Sequence, residues 1–597
     1  MTNKWLKVAL MAAAIATGTS IKIDAETVLY VPQDDRPVSL QYTVDTAREA
    51  GMTILTPPQN LISGKNYQGQ ADQIMAWVEQ NAGRADVMVL STDTLIYGGL
   101  VDSRKHNIPL STLESRLKRI ESLKARNKKV RIYGFGTVMR SPRASGGGTE
   151  PAYYAEYGPT IFQIAALQDK LDSGSLTQEE TQKLMSLQAS VPVEYLQDWF
   201  SRRQKNMQVN KDLIDEARNG VFSYFALGHD DTSQLSQSAL EGRYLNQYSK
   251  GIPRTQYGSF PGADQLGLLL MARSRTDESA EKPTFSVIYP LGGAGKTLPG
   301  YEDQPIDKTI AEHVEAVGGT MTTAGKPTVL LAVNTPLSTS TSESETFGNF
   351  PMISQATTAF VDRIQQATEQ GVNVSIADIA YNNGSDNTLL GALYKRDLLY
   401  KIGAYNGWNT ASNTVGYAIA QGLLLQTMSP EGHRDMLTQQ YLDNWAYQAN
   451  IRKDIYRMQD SIRTDNVRYS GDLNSKLEEY LQERVQDFSE TYLKVDPRTV
   501  KATFPWGRLF ETDITVYDKP VVPLQKEIRM QREAEAKRQA EAAAAAAAAQ
   551  ADGQAQAAPA VPTTTTQAAP TATSTTVVHQ AATSPRIVPT PAAVPQQ

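Results

Sequence analysis

The stretch YFALGHDDTS (residues 224–233) places two adjacent carboxylates, Asp230 and Asp231, at the point where an apolar run ends. Closely placed carboxylates push their pKa values apart, so that one stays ionised while its partner holds a proton. General acid/base catalysis requires that division of roles. Taken alone, the pair is an ordinary exit from a strand into a loop. It predicts a catalytic site only if other polar groups converge on it.

Polar side chains also follow most of the other apolar runs. The candidate substrate-binding residues at these positions are Asp34, Asp35, Arg36, Asp93, Arg104, Arg140, Asp378, Asn383, Asp386, Trp408 and Asn409. Each has a plainer interpretation, because Asp-Asp-Arg-Pro is often a turn with a solvated ion pair and Asn-Asn-Gly-Ser-Asp is a common loop composition. Their recurrence after so many runs, with few lysines among them, favours a polar pocket.

The elements that must position these residues are short apolar runs alternating with helical stretches. The predicted strands are residues 27–32, 52–58, 86–92, 130–138, 221–227, 284–292, 328–334, 372–380 and 400–405. Their apolarity on both faces is typical of parallel strands in an α/β protein. The number of repeats favours a TIM-like (β/α)8 barrel with insertions over an open doubly wound sheet. In such a barrel the loops after the strands build the active site.

The chain divides by composition into several regions. Residues 1–25 have a basic start and a short apolar segment, which predicts a cleaved signal peptide and export. Residues 26–410 are the expected barrel-like catalytic domain, with a helical insertion at about 141–220, where Thr177 and Glu180 have capping-box spacing. Residues 411–524 are expected to form a helical and small β region. Residues 525–597 are expected to be helical and then a disordered tail rich in Ala, Pro, Thr and Gln.

Composition excludes several classes of function. The 597 residues contain no cysteine, which rules out disulfides, thiolate metal sites and a cysteine nucleophile. The net charge of −6 gives no reason to expect nucleic acid as a partner. PLGGAGKT departs from a phosphate-binding loop because Pro290 stands in place of the first glycine. No motif implies a cofactor, although Asp34, Asp35, Asp93, Asp230 and Asp231 would suit a hard divalent cation if they converged.

Seven motifs together are similar to one bacterial protein family. They are VPQDDRP, STDTLIYGGLVDSR, YGFGTVMR, GHDDTS, GADQLG, ADIAYNNGSDN and GAYNGWNTASNTVG. The combination resembles the family designated domain of unknown function 4127, over residues 27–510. That designation carries no activity, so the resemblance implies a coherent fold without naming a reaction.

A shorter pattern, FAL-x-x-DD, resembles the paired-aspartate strand end of family 84 glycoside hydrolases, which are (β/α)8 N-acetylglucosaminidases. The resemblance implies that Asp230 orients the 2-acetamido group of the substrate and that Asp231 is the general acid/base. In that mechanism the sugar's own amide oxygen attacks the anomeric carbon. Asp378, Asn383, Asp386, Trp408 and Asn409 would then suit sugar hydroxyls and ring stacking. This chain departs from the family in carrying His229 before the pair, and only this one motif matches.

Three hypotheses follow from these observations. The leading one is an exported bacterial glycoside hydrolase, secreted, periplasmic or at the cell surface, acting on an N-acetylhexosamine-containing or related glycan. The second is an exported hydrolase dependent on a divalent metal, of the deacetylase or phosphoesterase type. The third is a non-catalytic glycan-binding protein associated with the cell envelope through its C-terminal tail. None requires a membrane span in the mature chain, because no apolar run after the N-terminal segment is long enough.

Overall fold

The computed structural model describes residues 25–144, 148–337, 341–458 and 472–556. The predicted signal peptide lies outside these residues up to its final Ala25, and so does the predicted disordered tail from residue 557 onward. Residues up to Ile528 form one compact unit, and residues from Arg529 form a second. The site described below belongs entirely to the first unit.

Fifteen strands occur in the described residues. They are β1 (Thr27–Val31), β2 (Thr53–Leu55), β3 (Val87–Ser91), β4 (Arg131–Val138), β5 (Tyr224–His229), β6 (Tyr257–Pro261), β7 (Thr284–Ile288), β8 (Thr320–Met321), β9 (Val329–Asn334), β10 (Ser342–Glu343), β11 (Val374–Asp378), β12 (Tyr381–Asn382), β13 (Ala404–Asn406), β14 (Val500–Thr503) and β15 (Asp513–Val516). Every apolar run predicted as a strand overlaps one of them.

The α-helices of the described residues alternate with these strands and then dominate the C-terminal part. They are α1 (Gln41–Glu49), α2 (Ala71–Asn81), α3 (Thr92–Tyr97), α4 (Leu100–Lys105), α5 (Leu110–Arg126), α6 (Tyr154–Asp172), α7 (Gln178–Ser190), α8 (Val193–Arg218), α9 (Gln237–Tyr248), α10 (Leu266–Glu278), α11 (Ile306–Ala316), α12 (Gln355–Glu369), α13 (Asn387–Lys395), α14 (Ala411–Leu424), α15 (Pro430–Gln440), α16 (Arg452–Met458), α17 (Asp472–Phe488) and α18 (Gln525–Gln556). Tyr441–Ile451 and Ser489–Leu493 are π-helical.

Eleven of the strands form two parallel sheets with the same pattern of strand order. The first sheet has six strands in the order β2-β1-β3-β4-β5-β6, and the second has five in the order β8-β7-β9-β11-β13. In each sheet the second strand along the chain lies at one edge, next to the first strand. The later strands add in chain order on the other side of the first strand. This is the doubly wound order, which leaves a crevice at the carboxyl ends of the strands where the order reverses.

The predicted α/β class with parallel strands is confirmed, whereas closure into a (β/α)8 barrel stays a prediction. Within the described residues, no strand pairing joins the two sheets or closes either of them into a ring. Counting strands cannot predict closure, because closure depends on whether the edge strands find each other as hydrogen-bonding partners.

One continuous apolar core lies between the two sheets. Residues of β1, β3, β4 and β6 from the first sheet share it with residues of β7, β9, β11 and β13 from the second. Helices α10 and α14 are buried over most of their length within this core. A helix that is apolar on all sides requires such a position. The opposite face of the first sheet packs against α2, α5 and α8 around a separate core.

The inserted segment is helical, and the region near the C-terminus carries a short antiparallel pair of strands. Helices α6, α7 and α8 fill the insertion, and Thr177 and Glu180 form both hydrogen bonds of a capping box at the start of α7. β14 and β15 pair as an antiparallel hairpin, the small β piece expected near the C-terminus. In the part of the chain that the structure describes, no helix combines the length and apolarity needed to cross a bilayer.

Candidate functional site

A cavity of about 1150 Å³ opens at the carboxyl ends of the strands. Loops after β1, β4, β5 and β6 of the first sheet contribute to its wall, as do residues 298–302 after β7. Further wall residues come from the segments around β10, β12 and β13, and the loop of the C-terminal hairpin contributes Trp506, Arg508 and Phe510. Both sheets therefore present their carboxyl ends to the same space.

The structure brings most of the candidate residues to this cavity and places the others behind or beside it. Those that line it are Asp34, Arg36, Arg104, Arg140, Asp230, Asp231, Asn383 and Asn409. Those outside its wall are Asp35, Asp93, Asp378, Asp386 and Trp408. Polar residues at the ends of strands therefore indicated where the cavity lies, but five of the candidates do not line it.

Each aspartate of the adjacent pair has its own arginine. Arg104 lies with Nη2 2.5 Å from Asp230 Oδ2, and both side chains are buried. Arg140 donates from Nη1 to Asp231 Oδ2 at 2.7 Å and from Nε to Glu150 Oε1 at 2.7 Å. The Glu150 carboxylate also lies 3.8 Å from Arg104 Nη1. Glu150 therefore links the two arginines and holds both guanidinium groups at the cavity wall.

The electrostatic environment of Asp231 favours proton binding. Burial, followed by the neighbouring charge of Asp230, raises the pKa of Asp231, while Arg140 opposes the shift. Behind the pair, burial raises the pKa of Asp93 to about 7, against a hydrogen bond of 2.7 Å that Thr137 Oγ1 donates to it. Both shifts favour the protonated form of a carboxyl group, one in the cavity wall and one behind it.

A second charged cluster forms the adjoining part of the wall. Arg36 donates from Nε to Asp34 at 2.8 Å and from Nη2 to Asp264 at 2.6 Å. Gln33 and Trp408 also donate to Asp264, at 2.7 and 3.2 Å. Burial alone would raise the pKa of Asp264, but the charge and hydrogen bonds of Arg36 hold it below the ordinary value. Burial raises the pKa of Asp34 to about 6.

Backbone strain is concentrated at the cavity. Six non-glycine residues in the described part of the chain have positive φ, and four of them line the cavity: Asp231 (32°), Tyr301 (63°), Asn383 (56°) and Asn409 (60°). Such conformations cost on the order of 1 kcal/mol or more each and persist where the surroundings impose them. Their clustering indicates a wall that is held in shape for binding.

Asp378 and Asp386 form a network inside the second sheet rather than a binding surface. Asn334 Nδ2 donates to Asp378 at 2.9 Å and to Asp386 at 3.1 Å. Tyr405 donates to Asp378 at 2.8 Å, and the backbone N–H of Asp386 does so at the same distance. Burial raises the pKa of Asp378 to about 7. Both carboxyls therefore position the loop that carries Asn383, without reaching the cavity.

Asp35 and Trp408 lie outside the cavity wall, and each forms a hydrogen bond with a residue that lines it. Asp35 accepts hydrogen bonds from the hydroxyl of Tyr67 and, at 2.7 Å, from Nε1 of Trp506. Trp408 is 3 % exposed, and its indole is committed to Asp264. The stacking role expected for Trp408 stays a prediction, and its ring lies outside the wall of this cavity.

Sequence reasoning missed four wall or supporting residues. They are Glu150, Asp264, Glu302 and Trp506. Asp264 follows β6, a strand that was not predicted, although the motif GADQLG that contains it stood out. Glu302 follows the glycine-rich loop after β7, and burial raises its pKa to about 7. Trp506 comes from a distant hairpin, and no local pattern could have brought it to this site.

The carboxylates considered for a divalent cation do not form one cluster. Asp34 and Asp230 each pair with an arginine, and Asp231 pairs with another. Asp35 and Asp93, which lie outside the wall, accept hydrogen bonds from the neutral donors Trp506 and Thr137. Among the residues that the structure describes, no three histidine or acidic side chains are arranged to hold a metal ion.

Comparison with known proteins identifies a family whose description names no reaction. No curated protein matches this sequence. A family model described as "Protein of unknown function (DUF4127)" matches residues 28–515, which include both sheets, the insertion and the C-terminal hairpin. The resemblance to family 84 glycoside hydrolases has no counterpart in these matches. The chain belongs to the DUF4127 family, and its cavity is a feature of the matched region.

Proposed function

We propose that this protein is an exported glycoside hydrolase that acts on an N-acetylhexosamine-containing or related glycan. The observation that carries the proposal is the contrast between Asp230 and Asp231 at one wall of the cavity. Asp230 is held by Arg104, whose Nη2 lies 2.5 Å from its Oδ2. Burial and the charge of Asp230 raise the pKa of Asp231, which favours a bound proton.

These environments suit the two roles of substrate-assisted hydrolysis. Asp230 would orient the 2-acetamido group, whose oxygen attacks the anomeric carbon as the glycosidic bond breaks. Asp231 would donate its proton to the departing oxygen and later remove a proton from the water that opens the cyclic intermediate. Arg140, 2.7 Å from Asp231, would stabilise the carboxylate after the proton has left.

The cavity also has the surfaces that sugars require. Its volume of about 1150 Å³ exceeds that of most small-molecule sites. Tyr301, which is 48 % exposed, lines it and offers an aromatic ring, and Asn383 and Asn409 offer amide groups. A closed (β/α)8 barrel, which the resemblance implies, is not required for this arrangement, because doubly wound sheets also bind ligands at the carboxyl ends of their strands.

The test is the hydrolysis of chromogenic N-acetylhexosaminides by Asp230→Asn and Asp231→Asn variants. Each should lower kcat by about 100-fold or more, since a general acid contributes that much and so does a group that stabilises the transition state electrostatically. Asp362→Asn, an exposed aspartate paired with Arg396, is the matched control and should be fully active. Full activity in both cavity variants, with unchanged circular dichroism, would sink the proposal. Loss on chelation and recovery with a divalent cation would instead favour the metal-dependent hydrolase.

A change of leaving group separates the two roles. A dinitrophenyl glycoside needs little protonation, so Asp231→Asn should hydrolyse it far better than a methylumbelliferyl-type substrate with a poorer leaving group. Asp230→Asn should be impaired on both, because the amide must still be oriented. Equal losses for the two variants on both substrates would contradict the assignment of roles.

Glycan binding without turnover is the second candidate. The ion pair of 2.7 Å between Arg140 and Asp231 favours it, because a cation at that distance stabilises the ionised carboxylate. Calorimetry would then show saturable binding of oligosaccharides, while assays for new reducing ends stay at background over long incubations.

A further inference from the structure

An apolar loop projects from the rim of the cavity. We define the rim loop as residues 345–353, with the sequence ETFGNFPMI. Phe347, Phe350 and Met352 are 83 %, 71 % and 79 % exposed, the highest values for large apolar side chains in the described part of the chain. Ile353 is exposed as well. Apolar side chains concentrated in this way mark an interaction surface, whereas scattered ones need no explanation.

The backbone of the rim loop is fixed. Asn349 is 2 % exposed, and its Nδ2 donates to the carbonyls of Ser344 and Ser385, both at 2.8 Å. Its Oδ1 accepts from the N–H of Asn387 at 2.9 Å. The hydroxyl of Tyr381 donates to the carbonyl of Gly348 at 3.0 Å. The loop therefore holds its apolar side chains outward from an anchored base.

The rim loop adjoins the mouth of the cavity. Glu345, the first residue of the loop, and Glu343, two residues before it, both line the cavity. Arg452 Nη2 lies 2.7 Å from Glu345 Oε2, which ties this end of the loop to α16. On the same helix, the guanidinium carbon of Arg457 lies 4.6 Å from the centroid of the Phe347 ring.

We propose that the rim loop inserts Phe347, Phe350 and Met352 into the interface of a lipid bilayer and so places the cavity mouth beside the membrane surface. The three side chains are 71–83 % exposed on one short loop, and a protein partner would need a separate socket for each. The boundary between headgroups and acyl chains accepts such side chains without a matching shape. Arg457 beside Phe347 would lie at the level of the lipid phosphates, where a cation is stabilised. This inference is independent of glycan hydrolysis.

Sedimentation of the full chain with vesicles tests the proposal. The probes are vesicles of phosphatidylcholine alone and of phosphatidylcholine with phosphatidylglycerol. Replacement of all three residues by serine (Phe347→Ser, Phe350→Ser, Met352→Ser) should lower the partition coefficient by about tenfold for each side chain. Met185→Ser with Val193→Ser, two exposed apolar residues of the insertion, should leave it unchanged. The apolar N-terminal segment is common to all variants, so differences among them report on the rim loop.

Insertion has a direct signature as well. A Phe350→Trp variant should show a blue-shifted emission on vesicles and quenching by brominated lipid, whereas Met185→Trp should show neither. Equal partitioning of the wild type and the triple variant, or no binding of the wild type to either vesicle, would overturn the proposal. Sedimentation velocity is the last arm: if the triple substitution converts a dimer into a monomer without changing vesicle binding, the loop is a self-association surface and the lipid assignment is wrong.

Discussion

Arg36 and Asp264 are joined by a hydrogen bond of 2.6 Å from Nη2 to Oδ1, although the strands that precede them are not neighbours. Arg36 follows β1 and Asp264 follows β6, and β3, β4 and β5 lie between these strands in the sheet. The loops after β1 and β6 therefore meet over the carboxyl edge of the sheet. This contact fixes part of the cavity wall and carries the first prediction.

Removing one partner of this buried cluster should be costly. In Asp264→Asn, Arg36 keeps its ion pair with Asp34 but loses the one with Asp264, and its guanidinium remains buried. We expect the free energy of unfolding to fall by about 3–5 kcal/mol, as for other buried charge pairs that lose a member. Asp72→Asn, in an exposed pair with Arg116, should cost less than about 1 kcal/mol. Urea denaturation of both variants measures the difference, and equal costs would contradict the argument.

Asp93 should make stability depend on pH. Its pKa is raised by burial to about 7 in the folded protein and is about 3.9 in an unfolded chain. Between these values the folded state binds a proton that the unfolded state does not, so stability falls as pH rises. Relative to Asp93→Asn, the free energy of unfolding should fall by up to about 1.4 kcal/mol per pH unit from pH 4 to 7. Parallel urea-derived curves for the two proteins would refute this assignment.

Arg140 should control the pH profile of the proposed reaction. Its charge opposes the raised pKa of Asp231, so Arg140→Gln should raise that pKa further. If Asp231 is the general acid, the alkaline limb of kcat/KM moves to higher pH by the same amount. Arg143→Gln, at the cavity wall but without the hydrogen bond to Asp231, is the matched control. A lower rate with an unmoved limb would indicate a merely structural role for Arg140.

Gly228 should be irreplaceable on packing grounds. It lies in β5, two residues before Asp230, and a Cβ at this position would come 2.1 Å from the carbonyl oxygen of Gly262. Gly228→Ala should therefore cost about 1–3 kcal/mol through overpacking and displace the strand end. In contrast, a Cβ on Gly391 in α13 would meet nothing within 4 Å. Gly391→Ala should stabilise the protein by about 0.5–1 kcal/mol. In thermal unfolding, we expect the midpoint to fall for Gly228→Ala and to rise for Gly391→Ala.

The sequence predicted the elements better than their arrangement. Runs such as TVLYV and VMVLS are buried on both faces, and that burial produces the apolar pattern by which they were found. Strand β6, with the sequence YGSFP, carries no such run, because its glycine, serine and proline interrupt it. The division into two sheets depends on which backbones pair over long distances, and no local pattern encodes that choice.

The candidate site was predictable where a side chain leaves the end of a strand toward open space. Asp34, Asp230 and Asp231 meet that condition and line the cavity. Asp378 ends a strand as well, but Asn334 and Tyr405 occupy its oxygens, so it belongs to the interior. Trp506 reaches the cavity from a hairpin at the far end of the chain. Contacts of that kind arise from tertiary folding and leave no trace in residue spacing.

The burial of α14 between the two sheets decides how the chain can be divided. This helix follows the last strand of the second sheet. Its Tyr417 hydroxyl nevertheless donates to the carbonyls of Val38 and Asp264, which follow strands β1 and β6 of the first sheet. Each sheet has a full doubly wound strand order of its own, but the first would lose part of its core if the chain stopped before β7. The polypeptide therefore carries one strand pattern twice, but its two halves share a core: truncation between the two sheets would remove the apolar side chains of β7, β9, β11, β13 and α14 that belong to the same core as the first sheet.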